Sequence, residues 1–323
     1  MTPGDWRLDQ TGGTVELKSL EIEQRDGASF TVEGWRVEWE RWSLRVGWDQ
    51  REGLVIHDVS FDDNGNQRKI AHRMSIAELV IPYGDPSQGT YRKNAFDTGE
   101  YGLGNYTNSL TLGCDCLGEI VYLSVALADP RGSVRTIENA ICMHEEDFGL
   151  LWKHVDEVGH VEVRRSRRFV VSSIVTVNNY EYGYFWYLYQ DGTIEFEAKL
   201  TGILLTMAKD PAESYPSSTE IEPGLLAPYH QHIFVARLDL DIDGTGNALD
   251  NALTGNSSGM LQPTSFVNVR RTIFVSDFLA VREKAIGVFT QLDTDGSGSA
   301  EVDASDLSAP FPDAPVIVRA ELP

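Results

Sequence analysis

Three sets of side chains in this sequence have types and spacings that could do chemistry together. The first is phenolic: Tyr180 and Tyr182 open the aromatic run Tyr180-Glu181-Tyr182-Gly183-Tyr184-Phe185-Trp186-Tyr187-Leu188-Tyr189. A strand's period of two places Tyr180, Tyr182, Tyr184 and Trp186 on one face, and Phe185, Tyr187 and Tyr189 on the other. The second is the imidazole pair in His230-Gln231-His232. On a strand both rings project from the same face and can chelate one ion, and Cu(II) heads the divalent affinity series for such ligands. The third is Asp97 in Phe96-Asp97-Thr98-Gly99. A carboxylate becomes a working base near neutral pH only where apolar surroundings raise its pKa; Phe96 and the aromatics around Tyr180 are candidates for that environment. Each set also has a plainer reading, as a core aromatic strand, two surface histidines on an edge strand, and a turn aspartate.

Other groups carry weaker signals. Asp241-x-Asp243-x-Thr245-Gly246 and Asp293-x-Asp295-x-Ser297-Gly298 imitate calcium loops, but Ala252 and Ala304 stand where a bidentate Glu is needed, so both read as acidic turns. The basic cluster at 164–168 reads as a solvated strand end. Cys114, Cys116 and Cys142 are too few for a disulfide scaffold and lack the spacing of a four-ligand structural zinc site. They allow either one bridge with one free thiol or three reduced thiols.

The elements that must position these groups read almost entirely as strands. Short β-prone runs at 14–20, 30–33, 37–42, 44–48, 54–61 and 75–82 are separated by Gly-, Asp- and Asn-rich turns, with no sustained period near 3.6. Residues 168–204 predict a strand pair joined at Asp191-Gly192, and 230–240 a further strand. A short helical turn is expected within 143–154, loop at 209–224, and helical periodicity at 276–289. Regular spacing of short strands predicts an all-β fold, a large twisted antiparallel β-sandwich, rather than α/β alternation.

The net charge of −22 over 323 residues excludes nucleic acid and anionic membrane surfaces as expected partners, since a phosphate backbone is bound by clustered Lys and Arg. Cationic small molecules suit such a field better. No apolar h-region opens the sequence and no apolar run is long enough to span a bilayer, so the expectation is a soluble protein without a signal peptide, in the cytoplasm or peroxisome.

Thr176-Val177-Asn178-Asn179-Tyr180-Glu181-Tyr182 resembles the cofactor-forming motif of the copper amine oxidases. Glu38 to Leu44, Gly53 to His57, Ile81-Pro82-Tyr83-Gly84-Asp85-Pro86 and Phe96-Asp97-Thr98-Gly99-Glu100-Tyr101-Gly102-Leu103-Gly104 are similar to other parts of that family's catalytic domain. So is the stretch from Pro228-Tyr229 through His230 and His232 to Asp239. The resemblance covers roughly 15–248, which implies a partial catalytic β-sandwich domain at 1–248 and a divergent tail at 249–323. It implies that Tyr180 is the precursor of topaquinone and bears the imine with a primary amine, that Asp97 is the proton acceptor, and that Tyr83 and Asn179 hold the ring. It also implies copper(II) on His230 and His232, calcium at Asp239, Leu240 and Asp241, a disulfide between Cys116 and Cys142, and a homodimer. The implied reaction takes a primary amine and O2 to an aldehyde, ammonia and hydrogen peroxide. The family's copper takes three histidines, the third downstream, and this sequence has none after His232. His57, His72, His144, His154 and His160 are the other candidates. The alternative is a catalytically inactive truncated relative that keeps the sandwich and weak metal binding.

Overall fold

The computed structural model describes residues 20–85, 95–242 and 244–247, with the backbone of 249–250, 268–269 and 317–320. Two antiparallel sheets face one another. The first runs in the order β1 (Phe30–Glu33), β2 (Arg36–Trp39), β3 (Trp42–Asp49), β4 (Gly53–Asp63), β5 (Asn66–Ile81), with the two-residue β6 (Ala95–Phe96) on β5. The second contains β7 (Val121–Ala128), β8 (Val134–Val155), β9 (Val161–Val177), β10 (Tyr180–Tyr189) and β11 (Ile194–Gly202), in chain order, with 317–320 beyond β11. A small third sheet joins β12 (Met207–Ala208), β13 (Ser218–Glu222) and β14 (Leu225–Pro228). The last long strand, β15 (Ile233–Leu240), returns to pair with β5 at the far side of the first sheet. An all-β antiparallel sandwich is therefore the observed architecture, as the strand spacing predicted.

The alternation along each strand explains why the sheets meet. Val37, Trp39, Trp42, Leu44 and Ile56 from the first sheet and Ile141, Phe169, Tyr182, Trp186 and Leu188 from the second are buried in one continuous core. Burying each such side chain contributes about 1.5–3 kcal/mol. Two indoles also tie the layers by hydrogen bonds: Trp42 Nε1–H donates to the Tyr189 carbonyl at 2.7 Å, and Trp39 Nε1–H to Glu145 Oε1 at 2.9 Å. On the opposite face of β10, Tyr187 and Tyr189 pack with Val170 and Phe185, so the expected division of the aromatic run between two faces is observed.

Several local expectations need correction. Residues 37–42 are not one strand: Glu40 (φ 51) turns the chain and Trp39 pairs with Trp42 across the hairpin. The segment 143–154 is no helical turn but the interior and outer end of β8, because β9 pairs with it from Glu162 to Val171, with register shifts between Asp147 and Trp152. The region 209–224 is not all loop, since it contains β13. The strand at 230–240 begins only at Ile233, so His230 and His232 lie ahead of it. Residues 14–19 and the periodic stretch 276–289 lie outside the described residues, as does the acidic turn at 293–298. The basic cluster is a solvated strand edge as expected, with Arg164, Arg165, Arg167 and Arg168 each paired to a carboxylate. No helix among the described residues is long and apolar enough to cross a membrane.

Candidate active site

Tyr180 is the first residue of β10, held there by a two-residue turn in which Asn178 adopts φ 55, a conformation Asn tolerates better than most residues. On its other side β11 ends at Gly202 (φ 124). A Cβ at that position would lie 2.7 Å from the Tyr180 Cα, so glycine is what lets the two strands close against the tyrosine. The phenol ring is thus fixed at the end of the second sheet and points toward the first.

From the first sheet, β5 runs on past Ile81 into Pro82 and Tyr83, and the segment before β15 lies against it. Gly84 N–H donates to the Tyr229 carbonyl at 2.8 Å, Gln231 N–H to the Pro82 carbonyl at 3.1 Å, and Tyr83 bridges His230. These backbone bonds place His230 and His232 without a regular strand. Their ring centroids are 5.0 Å apart, so the expected proximity of the two imidazoles survives although the strand does not extend to them.

The phenols and the imidazoles meet at the Tyr180 hydroxyl. It lies 2.8 Å from His230 Nε2, while His230 Nδ1 lies 2.9 Å from the Pro228 carbonyl. A carbonyl can only accept, so Nδ1 carries the hydrogen, Nε2 is left with its lone pair, and the tyrosine donates to it. Tyr83 stacks on His230 at 4.8 Å and hydrogen-bonds Tyr180; burial and that bond push its own hydroxyl up to about 12, so it stays a donor. His232 meets the Tyr180 ring edge-on at 4.9 Å and its Nδ1 lies 2.9 Å from the Tyr182 hydroxyl. Burial, with His230 beside it, pushes His232 down to about 4, which keeps the ring neutral.

Asp97 opens a single π-helical turn, Asp97–Tyr101, and is only 3% exposed. Burial, with the Glu78 and Glu100 carboxylates nearby, pushes it up to about 6. Its charge adds to burial in raising Tyr83, Tyr182 and Tyr184. Glu78 on β5 holds this turn by accepting from Thr98 N–H at 3.1 Å and Gly99 N–H at 3.0 Å.

Copper(II) binds imidazole through a ring-nitrogen lone pair, and His230 and His232 bring two such rings together beside a phenolic oxygen. Among the described residues, no third His, Cys, Asp or Glu joins His230 and His232 in a three-ligand group. His144 instead lies with Cys116 and Cys142, which form the implied disulfide; Cys114 is free and exposed. Asn179 donates its amide to the Ile203 carbonyl at 2.5 Å, leaving its Oδ1 for other work. Asp239 and Leu240 end β15 opposite Arg73 and Ala71, with Asp241 3.6 Å from Lys69 Nζ.

Reasoning from the sequence put Tyr182 on the face of Tyr180 but gave it no role toward His232, and it assigned no role to the Pro228 carbonyl, Gly202 or Glu78. Tyr182 had a usable signal, since it shares the face of Tyr180 at i+2. Glu78 had none, because its role depends on a turn twenty residues away.

The description Copper amine oxidase, enzyme domain, matches residues 31–279. The chain is similar to a histamine oxidase of Arthrobacter globiformis, 53% identical over 273 residues, which cover 83% of this chain and 40% of that protein. It is also similar to N-methylputrescine oxidase 1, peroxisomal, of Nicotiana tabacum, 53% identical over 74% of this chain and 31% of that protein. Among solved structures, a copper-containing benzylamine oxidase from Hansenula polymorpha superposes with a TM-score of 0.70 at 40% identity, covering 76% of this chain and 38% of the other. The chain thus spans well under half the length of the relatives it matches. On the extent and identity of these matches, the chain belongs to the copper amine oxidase family.

Proposed function

We propose that this chain carries the core of an oxidase of small primary amines, using O2 and releasing an aldehyde, ammonia and hydrogen peroxide. The observation that supports it most is the contact of the Tyr180 hydroxyl with His230 Nε2, with Tyr83 on its other side. Topaquinone derived from Tyr180, when present, supplies an electrophilic carbonyl and a two-electron acceptor. Asp97 is the proton acceptor: its raised pKa lets it take the amine's α-proton near neutral pH. Tyr83 holds the ring by its hydrogen bond and Asn179 through Oδ1. His230 and His232 hold copper(II), with Pro228 and Tyr182 fixing the two rings.

The finer assignments rest on the same likeness. Calcium is proposed at the Asp239 and Asp241 carboxylates with the Leu240 carbonyl, a hard oxygen set. The division into a catalytic sandwich at 1–248 and a divergent tail at 249–323 is likewise a proposal. So is a homodimer, which exposed apolar side chains on the β8–β9 hairpin, among them Leu151, Trp152, Val155 and Val158, would serve. A peroxisomal or cytoplasmic location is supported by the tobacco relative, which is named peroxisomal. The alternative, a catalytically inactive truncated relative with weak metal binding, is not favoured by these matches.

Loading the chain with Cu(II) under air and staining for redox-cycling quinone separates the two. A quinone band that also reacts with phenylhydrazine supports the oxidase. Copper bound with no band leaves the inactive relative.

A further inference from the structure

A second cluster of metal-ligating groups lies outside the site above. Cys116 Sγ, Cys142 Sγ and His144 all offer ligand atoms within 4.8 Å of one another, and all three residues are buried. Cys142 and His144 are i, i+2 neighbours on β8, so both project from the same face of the sheet, away from the main core. Cys116 is delivered by the tight turn at 111–116, closed by Gly113 N–H donating to the Cys116 carbonyl at 2.9 Å.

The surroundings resemble those of a built metal site. His144 Nδ1 lies 3.4 Å from Cys142 Sγ, while Nε2 lies 3.2 Å from Glu146 Oε1. An ionised carboxylate only accepts, so Nε2 carries the hydrogen and Nδ1 turns its lone pair toward the sulfurs. That is the carboxylate–histidine–metal arrangement that fixes a ligating imidazole and raises its basicity. Glu146 is itself held by Arg168, whose Nη2 is 2.7 Å away and whose guanidinium lies over Tyr187 at 3.7 Å. Tyr122 packs against the cluster formed by Leu110, Cys116 and Cys142, and its buried hydroxyl has no hydrogen-bond partner among the described residues.

We infer that Cys116, Cys142 and His144 form a redox-gated binding site for one zinc-type divalent ion, closed while the cysteines are a disulfide and opened by reduction. A dithiol reductant gives two electrons and two protons to the bridge and becomes a disulfide itself, leaving two thiols. Binding the ion displaces those two protons, giving two metal–sulfur bonds and one to His144 Nδ1. Three protein ligands leave the fourth tetrahedral position to water. The site shares no residue with His230 and His232.

The test uses Co(II) as a spectroscopic substitute, added to the full chain before and after reduction with a dithiol that is then removed under anaerobic conditions. The reduced chain is expected to show thiolate-to-cobalt charge transfer with tetrahedral d–d bands at one equivalent, displaced by Zn(II). The oxidised chain is expected to show no tetrahedral two-thiolate spectrum, whatever cobalt His230, His232 and the free Cys114 take up. Glu146→Gln is expected to weaken binding by about 10–100-fold while keeping the band. His144→Gln, which leaves the bridge intact, is expected to weaken it at least as much and alter the band. A reduced chain without thiolate bands, folded or not, overturns the inference. So does a band whose position and affinity are unchanged in His144→Gln.

Discussion

The Tyr180 hydroxyl donates to Nε2 of His230 across 2.8 Å, joining the first residue of β10 to the segment that precedes β15. Tyr180→Phe removes the oxygen and leaves the ring's packing. Quinone staining and phenylhydrazine reactivity are expected to vanish, while Cu(II) still binds by electron paramagnetic resonance and far-ultraviolet circular dichroism is unchanged. Persistent phenylhydrazine labelling in that variant would remove Tyr180 as the reactive group.

Asp97 sets a pH limb. Pushed from an ordinary 3.8 to about 6, it is protonated below that pH and can act as a base only above it. The kcat/KM for a primary amine should rise tenfold per pH unit below about 6 and level off above. Asp97→Asn should lower kcat by about 10²–10⁴-fold. The stability effect has the opposite sense. A carboxyl with a raised folded-state pKa favours folding while protonated, and that contribution is lost as pH rises from about 4 through 6. At pH 7 Asp97→Asn should therefore unfold later in denaturant, by about 2–3 kcal/mol. A variant no more stable than the parent at pH 7 would contradict the burial argument.

Glu78 acts on Asp97 both through the turn it holds and through its charge. Glu78→Gln keeps an oxygen for Thr98 and Gly99 but removes the like charge, so the acid limb should move to lower pH. Glu78→Ala should also lower kcat, because the turn loses its acceptor. An unmoved limb in Glu78→Gln would leave burial and the Glu100 charge as the causes of the shift.

The residues that orient the imidazoles should matter to copper. Tyr182→Phe deletes the partner of His232 Nδ1, and Cu(II) affinity is expected to fall by about 10–100-fold in competition with a chelator. Unchanged affinity would show that packing alone positions that ring.

Much of this arrangement was legible in the sequence because it is local. The alternation along β10 marked Tyr182 and Trp186 as core, and the i, i+2 spacing of His230 and His232 marked two neighbouring imidazoles, although no strand carries them. What was not legible depends on partners far along the chain. The segment at 143–154 has the composition of a short helix until β9 offers it a ladder. β15 starts only at Ile233, and the segment of His230 and His232 ahead of it is held instead by backbone bonds between 229–231 and 82–84. Glu78 gives no sign of its task until the Asp97 turn folds over it.

The layer contact has a measurable weight. Trp42 is fully buried and its indole N–H reaches across to Tyr189. Trp42→Ala should lower stability by about 3–5 kcal/mol in equilibrium denaturation. A loss below 1 kcal/mol would mean the sheets repack without it.

The pairing of β15 with β5 joins residues some 150 positions apart, among the most distant contacts in the molecule. Closures of that span cost the most chain entropy and tend to come late. Under the proposed function, His230 and His232 reach Tyr180 only once that pairing has formed, so a chain that lacks it would carry an ordinary phenol at position 180.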